Sequence, residues 1–477
     1  MPGVHTFYDG STFLEPVTAY VGVDTDRLNF VSCMFLSLLL AFLYRKFFQA
    51  DVVPRQLRIV VPPVIGTAFL FFCFGRAIKH LLANCLVSYV IMFFAPGESV
   101  HKLVFLFSMS YLLFIHFYRW VILDSYTLDI TGPIMVAVEK VTMMACNLHD
   151  GKTKNKGKLT EEQKKEAIND IPSLLEYMSF IFNFQTVLTG PANNYSDYLK
   201  FLEGNHVQKN ANGKFPSPTK PALRKVCEAL FYASIVVIFA DKYRVYDVST
   251  EPYLALPYVQ WFFWWFITLV IVRCSYYFAW VFADAICNMS GFGFSGYDLN
   301  GNAKWELCTN VRPLQVEMAQ SFKETLDGWN ILTGVWLRKV GYERFPKKIR
   351  TMMTYVLSAV WHGVSIGYYI SFFTAGLFTL SAATFRRCMR WRFLNDKTHK
   401  LSYDLFSFAI TKIALAYATY SFVIMNLHPS VDVLARVYFL PHFIAAAVLV
   451  GLPKIFPPLK KPKEPVVNKL AEEKKEL

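Results

Sequence analysis

Residues 354–373 read TYVLSAVWHGVSIGYYISFF. They sit within a longer stretch, 351–380, that contains no Asp, Glu, Lys or Arg. A helix crossing the hydrocarbon core of a bilayer needs roughly 20 mostly apolar residues. The stretch exceeds that and is long enough to break into two pieces. Gly363 and Gly367 near its middle permit close backbone approach. So long an uncharged run points to a membrane protein, and the rest of the chain agrees.

Of 477 residues, 54% are hydrophobic and only 18% charged, against about a quarter charged in soluble proteins. Further apolar runs centre on 28–43, 57–75, 80–95, 103–118, 134–148, 174–188, 226–240, 254–283, 405–425 and 431–452. The expected fold is an all-α, polytopic membrane bundle of about eleven segments, one membrane-embedded domain over 1–477. Whether 134–148 and 174–188 span fully is left open by the pattern. A charged loop is expected at 149–170, with a short helix starting at Thr160, which stands as an N-cap before Glu161 and Glu162.

The chain carries 49 Lys and Arg against 35 Asp and Glu, a net charge of +14. The basic residues lie in short groups between apolar runs, so no nucleic-acid partner is indicated. The positive-inside rule places Arg45, Lys46, Arg55 and Arg58 in the cytoplasm, the N-terminus in the lumen and the lysine-rich tail, 453–477, in the cytoplasm. No cleaved signal peptide is apparent in the first 27 residues. The ending Lys474-Lys475-Glu476-Leu477 has the form of a cytosolic dilysine retrieval signal and also resembles a lumenal KDEL-type signal. The nine Cys are scattered without a Cys-x-x-Cys pair, so neither a disulfide framework nor a zinc site is indicated.

An ionisable residue inside a spanning stretch is a functional candidate by default. Most of the ten His lie in polar loops or near segment ends, and His116 beside Tyr118 and Arg119 reads as a boundary residue. His362 is different, with uncharged sequence on both sides. A lone imidazole on an apolar helix is often just a satisfied core residue, but its neighbours favour chemistry. Ser358 is one turn earlier, and Trp361, Tyr368 and Tyr369 offer apolar walls with polar tips. An imidazole in such surroundings stays neutral and free to accept a proton.

A second cluster is DGWNILTGVWLRKVGYERFPKK, 327–348. Trp329 and Trp336 are expected seven apart on one helix, with Asn330, Thr333 and Leu337 on a neighbouring stripe. Asn330 could orient an imidazole or hold a thioester carbonyl. Arg338, Lys339, Arg344, Lys347, Lys348 and Arg350, with Tyr342 among them, form a basic group that follows and could meet lipid phosphates or an anionic co-substrate, the phosphates being favoured.

At these residues the sequence resembles the membrane-bound O-acyltransferase family, in particular its lysophospholipid acyltransferases. WHGVSIGYYISF, 361–372, matches a WHGxxxGYxxxF pattern, and WNILTGVWLRKVGYERFP, 329–346, is similar to the stretch carrying that family's catalytic Asn. The 32-residue spacing from Asn330 to His362 resembles the branch acting on lysophosphatidylethanolamine, lysophosphatidylserine and lysophosphatidylcholine. GPANNYSDYLKFLEG, 190–204, and the Gly-rich 283–306 resemble two further stretches of these enzymes. The resemblance implies a helical bundle around a catalytic chamber, with acyl-CoA as co-substrate and no permanent cofactor or metal. It implies transfer of the acyl group to the sn-2 hydroxyl of a lysophospholipid, with His362 as general base and Asn330 orienting it or the reacting groups. Trp329, Thr333, Trp336, Arg338, Tyr342, Arg344, Ser358, Trp361, Tyr368 and Tyr369 are candidate substrate contacts. Other readings are a protein, sterol or diacylglycerol acceptor, or a transporter with His362 as proton relay. No repeated halves with matching broken helices are visible to support a transporter.

Overall fold

The computed structural model describes residues 3–5, 8–123, 127–153, 156–210 and 213–458. Among them the chain is helical, with two isolated β-bridges, His5 to Leu123 and Tyr297 to Ala303. Bilayer hydrocarbon offers backbone groups no partners, so a spanning chain must satisfy them internally, and a helix does that within one segment.

The helix Arg55–Phe74 shows how exceptions are handled. Pro62 and Pro63 lie inside it and lack the N–H groups that would bond to the carbonyls of Arg58 and Ile59. Those carbonyls instead accept from the Tyr44 hydroxyl at 3.2 Å and the Ser179 hydroxyl at 2.8 Å.

Six helical runs are long and apolar enough to cross a membrane: Thr25–Phe47, Arg55–Phe94, Val100–Ile122, Tyr258–Ser290, Ile366–Phe393 and Lys397–Ile424. The pair Leu427–Arg436 and Leu440–Ile455, bent by 72°, makes a seventh if it is one span. The protein is therefore a multi-pass membrane protein, with fewer spans than the eleven segments expected. Two expected segments fall in the single run Arg55–Phe94, which passes through a short 3₁₀ turn at Gly75–Ala77. The 174–188 run contains only the nine-residue helix Leu174–Phe182, about 13 Å long and too short to span. The 134–148 run lies in Thr131–Lys152, whose residues from Ala137 to Leu148 are all buried within the protein. The 226–240 run belongs to Thr219–Phe239, whose opening turns carry Lys220, Arg224, Lys225 and Glu228. Apolar composition marks burial in protein and burial in lipid alike, which is why the sequence overcounts.

The stretch 351–380 does break in two. Arg350–His362 ends at Gly363, and Ile366–Met389 begins three residues later. This break lies where two hydrophobic clusters meet. Trp336, Leu357 and Trp361 belong to the larger cluster, built from the N-terminal helices. Phe378 and Tyr417 belong to the smaller one, which joins the C-terminal helices to Trp261, Trp265 and Leu269 of Tyr258–Ser290.

The start of the expected 149–170 loop is helical, because Thr131–Lys152 continues through it. The short helix Glu161–Glu166 follows, with Thr160 accepting from the Gln163 backbone and Gln163 reciprocating. Beyond Pro458 the tail, with its lysines from Lys460 onward, lies outside the described residues.

Candidate active site

His362 is the last residue of its helix. Gly363 follows at φ 127°, a conformation other residues rarely adopt. A methyl group at Gly363 would also meet the His116 ring at 3.1 Å. Gly367 is held against the end of another helix: its N–H donates to the Met425 carbonyl at 3.1 Å, and a Cβ there would strike the Ser421 carbonyl oxygen. Both glycines thus permit the close approaches expected of them.

The His362 ring is surrounded by aromatic rings. Centroid distances are 4.6 Å to Trp361, 5.1 Å to Phe372, 4.8 Å to Phe422 and 5.7 Å to Tyr368. Its side chain lies deep in the protein and still keeps accessible surface. It makes no hydrogen bond to another described residue, so its ring nitrogens are available to a substrate.

Three contacts fix the helix end that carries it. Trp361 is buried and donates from Nε1 to the Met135 carbonyl at 3.1 Å. The Trp361 ring packs on Trp336 at 5.7 Å. The Trp361 carbonyl lies 3.2 Å from His116 Nε2. A carbonyl only accepts, so that nitrogen carries the hydrogen. His116 is buried and is no boundary residue. Sequence reasoning missed it because its partner is 245 positions away. Ile115 and Arg119, on either side of it, line a cavity of about 190 Å³ that does not reach His362.

Asn330 precedes the helix Ile331–Trp336 and holds φ 48°, ψ 53°. Asn is one of the few residues that tolerates this left-handed region. Its Oδ1 accepts from Asn310 Nδ2 at 2.9 Å. Asn310 also accepts the Ile331 and Leu332 N–H groups at 2.7 and 3.0 Å, satisfying orphan donors of that helix. Asn310 carried no signal in the sequence. No hydrogen bond joins Asn330 to His362 among the described residues; their helices meet through Trp336 and Trp361. Trp329 is extended, at φ −110°, ψ 127°, so it does not share a helix with Trp336 as expected. It packs instead among Tyr276, Tyr277 and Trp280.

The sequence model of the membrane-bound O-acyltransferase family matches residues 115–427, a range that holds all four resembling stretches. The chain belongs to the membrane-bound O-acyltransferase family. It is 37% identical to the human protein named membrane-bound glycerophospholipid O-acyltransferase 2, over 93% of this chain and 88% of the relative. It is 33% identical to the mouse protein named membrane-bound glycerophospholipid O-acyltransferase 1, over 93% of each. It is 36% identical to lysophospholipid acyltransferase 6 of Drosophila melanogaster, over 94% of this chain and 64% of the fly protein.

In this membrane-bound O-acyltransferase the remaining candidates divide into two groups. Thr333, Trp336 and Ser358 are buried in the two helices next to Asn330 and His362. Thr333 donates to Glu139 at 2.7 Å and Trp336 Nε1 to Thr142 at 2.8 Å. The Tyr368 hydroxyl donates to Met425 Sδ at 3.2 Å, and Tyr369 is half-buried on the same helix. The basic group is committed to acidic partners more than to lipid phosphate or ligand. Arg338 pairs with Glu162 at 2.9 Å and Glu343 at 2.7 Å, and Lys339 with Glu166 at 2.5 Å. Arg344 pairs with Asp150 at 3.0 Å. The Arg350 guanidinium covers the Tyr342 ring at 4.2 Å. Of the basic residues in this stretch, only Lys347 and Lys348 are exposed. The guanidinium of Arg338 holds the Glu162 carboxyl down to about 2. Apart from Glu343, the acids come from 150–166, which sequence spacing could not bring to residues 338–344.

Proposed function

We propose that this protein transfers a fatty acyl chain from acyl-CoA to the sn-2 hydroxyl of a lysophospholipid, as phospholipid remodelling requires. The acceptors are lysophosphatidylethanolamine, lysophosphatidylcholine or lysophosphatidylserine. The names of the relatives support the reaction class. The observation that carries the chemistry is the aromatic-lined His362 ring, accessible and without a hydrogen-bond partner among the described residues.

The acceptor hydroxyl attacks the thioester carbonyl carbon. A C–O bond forms, the C–S bond breaks, and His362 takes the hydroxyl proton, which passes to the leaving CoA thiolate. A thioester is already activated, so the protein has mainly to align two amphiphiles, exclude water and supply one base. No covalent intermediate is needed. Asn330 stabilises charge on the reacting carbonyl or orients the acceptor, since its bonding to Asn310 directs it away from a direct hold on His362. Aromatic and small residues about His362 suit an acyl chain. The protein resides in the endoplasmic reticulum membrane with its N-terminus lumenal and its tail cytoplasmic.

The test is a panel of lysophospholipids offered with acyl-CoA to the purified full chain in detergent, read by free thiol and by diacyl product. Thiol release that depends on a lysophospholipid is expected. Release driven only by a sterol, a diacylglycerol or a peptide would replace the acceptor, and no release with any of them would overturn the reading in favour of transport.

A further inference from the structure

The helix Thr131–Lys152 makes three polar contacts along one flank, and all three go to the catalytic stretches. The Met135 carbonyl accepts from Trp361 Nε1 at 3.1 Å. Glu139 Oε1 accepts from the Thr333 hydroxyl at 2.7 Å. The Thr142 hydroxyl accepts from Trp336 Nε1 at 2.8 Å. Positions four and three apart lie on one side of a helix. One rigid element therefore touches both the helix that ends at His362 and the helix Ile331–Trp336 that Asn330 precedes.

Glu139 is the costly member of the three. It is 2% exposed, between Val138 and Val141, which are buried as well. A carboxyl in such surroundings is retained against a large desolvation cost only where its oxygens are used. Its neighbour Lys140 does not pair with it. The Lys140 ammonium goes instead to the Phe180 carbonyl at 3.0 Å and the Thr186 hydroxyl at 2.7 Å. The hydrogen-bond partner of Glu139 is Thr333, three residues after Asn330 in the helix that Asn330 opens.

We propose that Glu139 is a positioning residue for acyl transfer: through the Thr333 hydroxyl it fixes where Asn330 stands relative to His362. The proposal rests on the acyl-transfer reading above. Alignment of reacting groups is steep in distance, and a shift of about 1 Å can cost on the order of 100-fold in rate. In this role Glu139 acts through Thr333.

The experiment compares Glu139→Leu, Glu139→Gln and Thr333→Val with the unaltered chain, and adds Glu139→Leu to an Asn330→Ala background. Initial rates are measured with each substrate varied, alongside thermal unfolding. Glu139→Leu and Thr333→Val are expected to lower kcat by about 10- to 100-fold, with KM for both substrates within about twofold. Glu139→Gln keeps an oxygen acceptor for Thr333 and is expected to retain most of the turnover. In the Asn330→Ala background Glu139→Leu is expected to cost nothing further, because the residue acts through Asn330. A multiplicative loss in that background, a rise in KM in place of the fall in kcat, or Glu139→Gln as slow as Glu139→Leu would each overturn the proposal. Should Glu139→Leu fail to fold, the nearly isosteric Thr333→Val carries the same readings, alone and combined with Asn330→Ala. An unaltered chain without acyl transfer would overturn both this role and the proposed function. An active one matched by all its variants would overturn only the role.

Discussion

At Asn330 backbone and side chain make separate demands, φ 48° on one hand and an amide bonded to Asn310 on the other. Asn330→Ala removes the amide and puts a residue less tolerant than Asn in a left-handed conformation that costs an ordinary residue about 1–2 kcal/mol. Asn330→Gly removes the whole side chain and adopts the left-handed conformation without that cost. Both are expected to lower kcat by about 10²–10³-fold with little change in KM for acyl-CoA, while the glycine variant melts higher than the alanine one. A rise in KM alone would make Asn330 a binding residue. Gly363 invites a harsher result, because φ 127° and the His116 ring both exclude a methyl group. Gly363→Ala is expected to lose activity and stability together; near-normal turnover would show that this turn does not fix His362. His362 was legible in the sequence because an imidazole stands out in an uncharged run. His116 and Asn310 were not, because their roles exist only through contacts made by distant parts of the chain.

Helices were legible wherever apolar residues ran long, and the break at 363–365 was legible from its length and glycines. Their partners were not. Thr131–Lys152 reads as a weak membrane span, yet from Ala137 to Leu148 it is buried on all sides, and it bonds to the stretches that carry Asn330 and His362. The basic group after Trp336 reads as headgroup-facing, yet it is held by acids from 150–166. These pairs make the docking of Glu161–Glu166 testable. Glu162→Gln with Glu166→Gln leaves buried Lys339 without a carboxylate, and unpaired buried charge is destabilising. Faster trypsin cleavage at Lys164 and Lys165 in the double variant is expected; unchanged cleavage would show the helix is held by other contacts. The sign of the pH effect follows from the low Glu162 value of about 2. The ion pair with Arg338 contributes fully above the ordinary glutamate range and is lost as pH falls through that value. With both side chains partly exposed, the effect is a modest one.

Over the whole molecule, membrane class and family were legible from composition and four motifs, while the number of spans was not, because buried and lipid-facing apolar helices share one composition. Orientation is open to direct test. With the tail cytoplasmic, external protease on sealed microsomes is expected to remove a C-terminal tag, and a protected tag would reverse the topology. Replacing Lys474 and Lys475 by Ser is expected to let part of the protein leave the endoplasmic reticulum if the dilysine reading holds. The account depends most on a single imidazole, set between two packed clusters and surrounded by aromatic rings. The decisive measurement is acyl-CoA- and lysophospholipid-dependent thiol release by purified His362→Ala protein, checked to unfold at the temperature of the unaltered chain. Loss of the general base is expected to lower turnover by about 10²–10⁴-fold, whereas turnover near that of the unaltered protein would contradict the account.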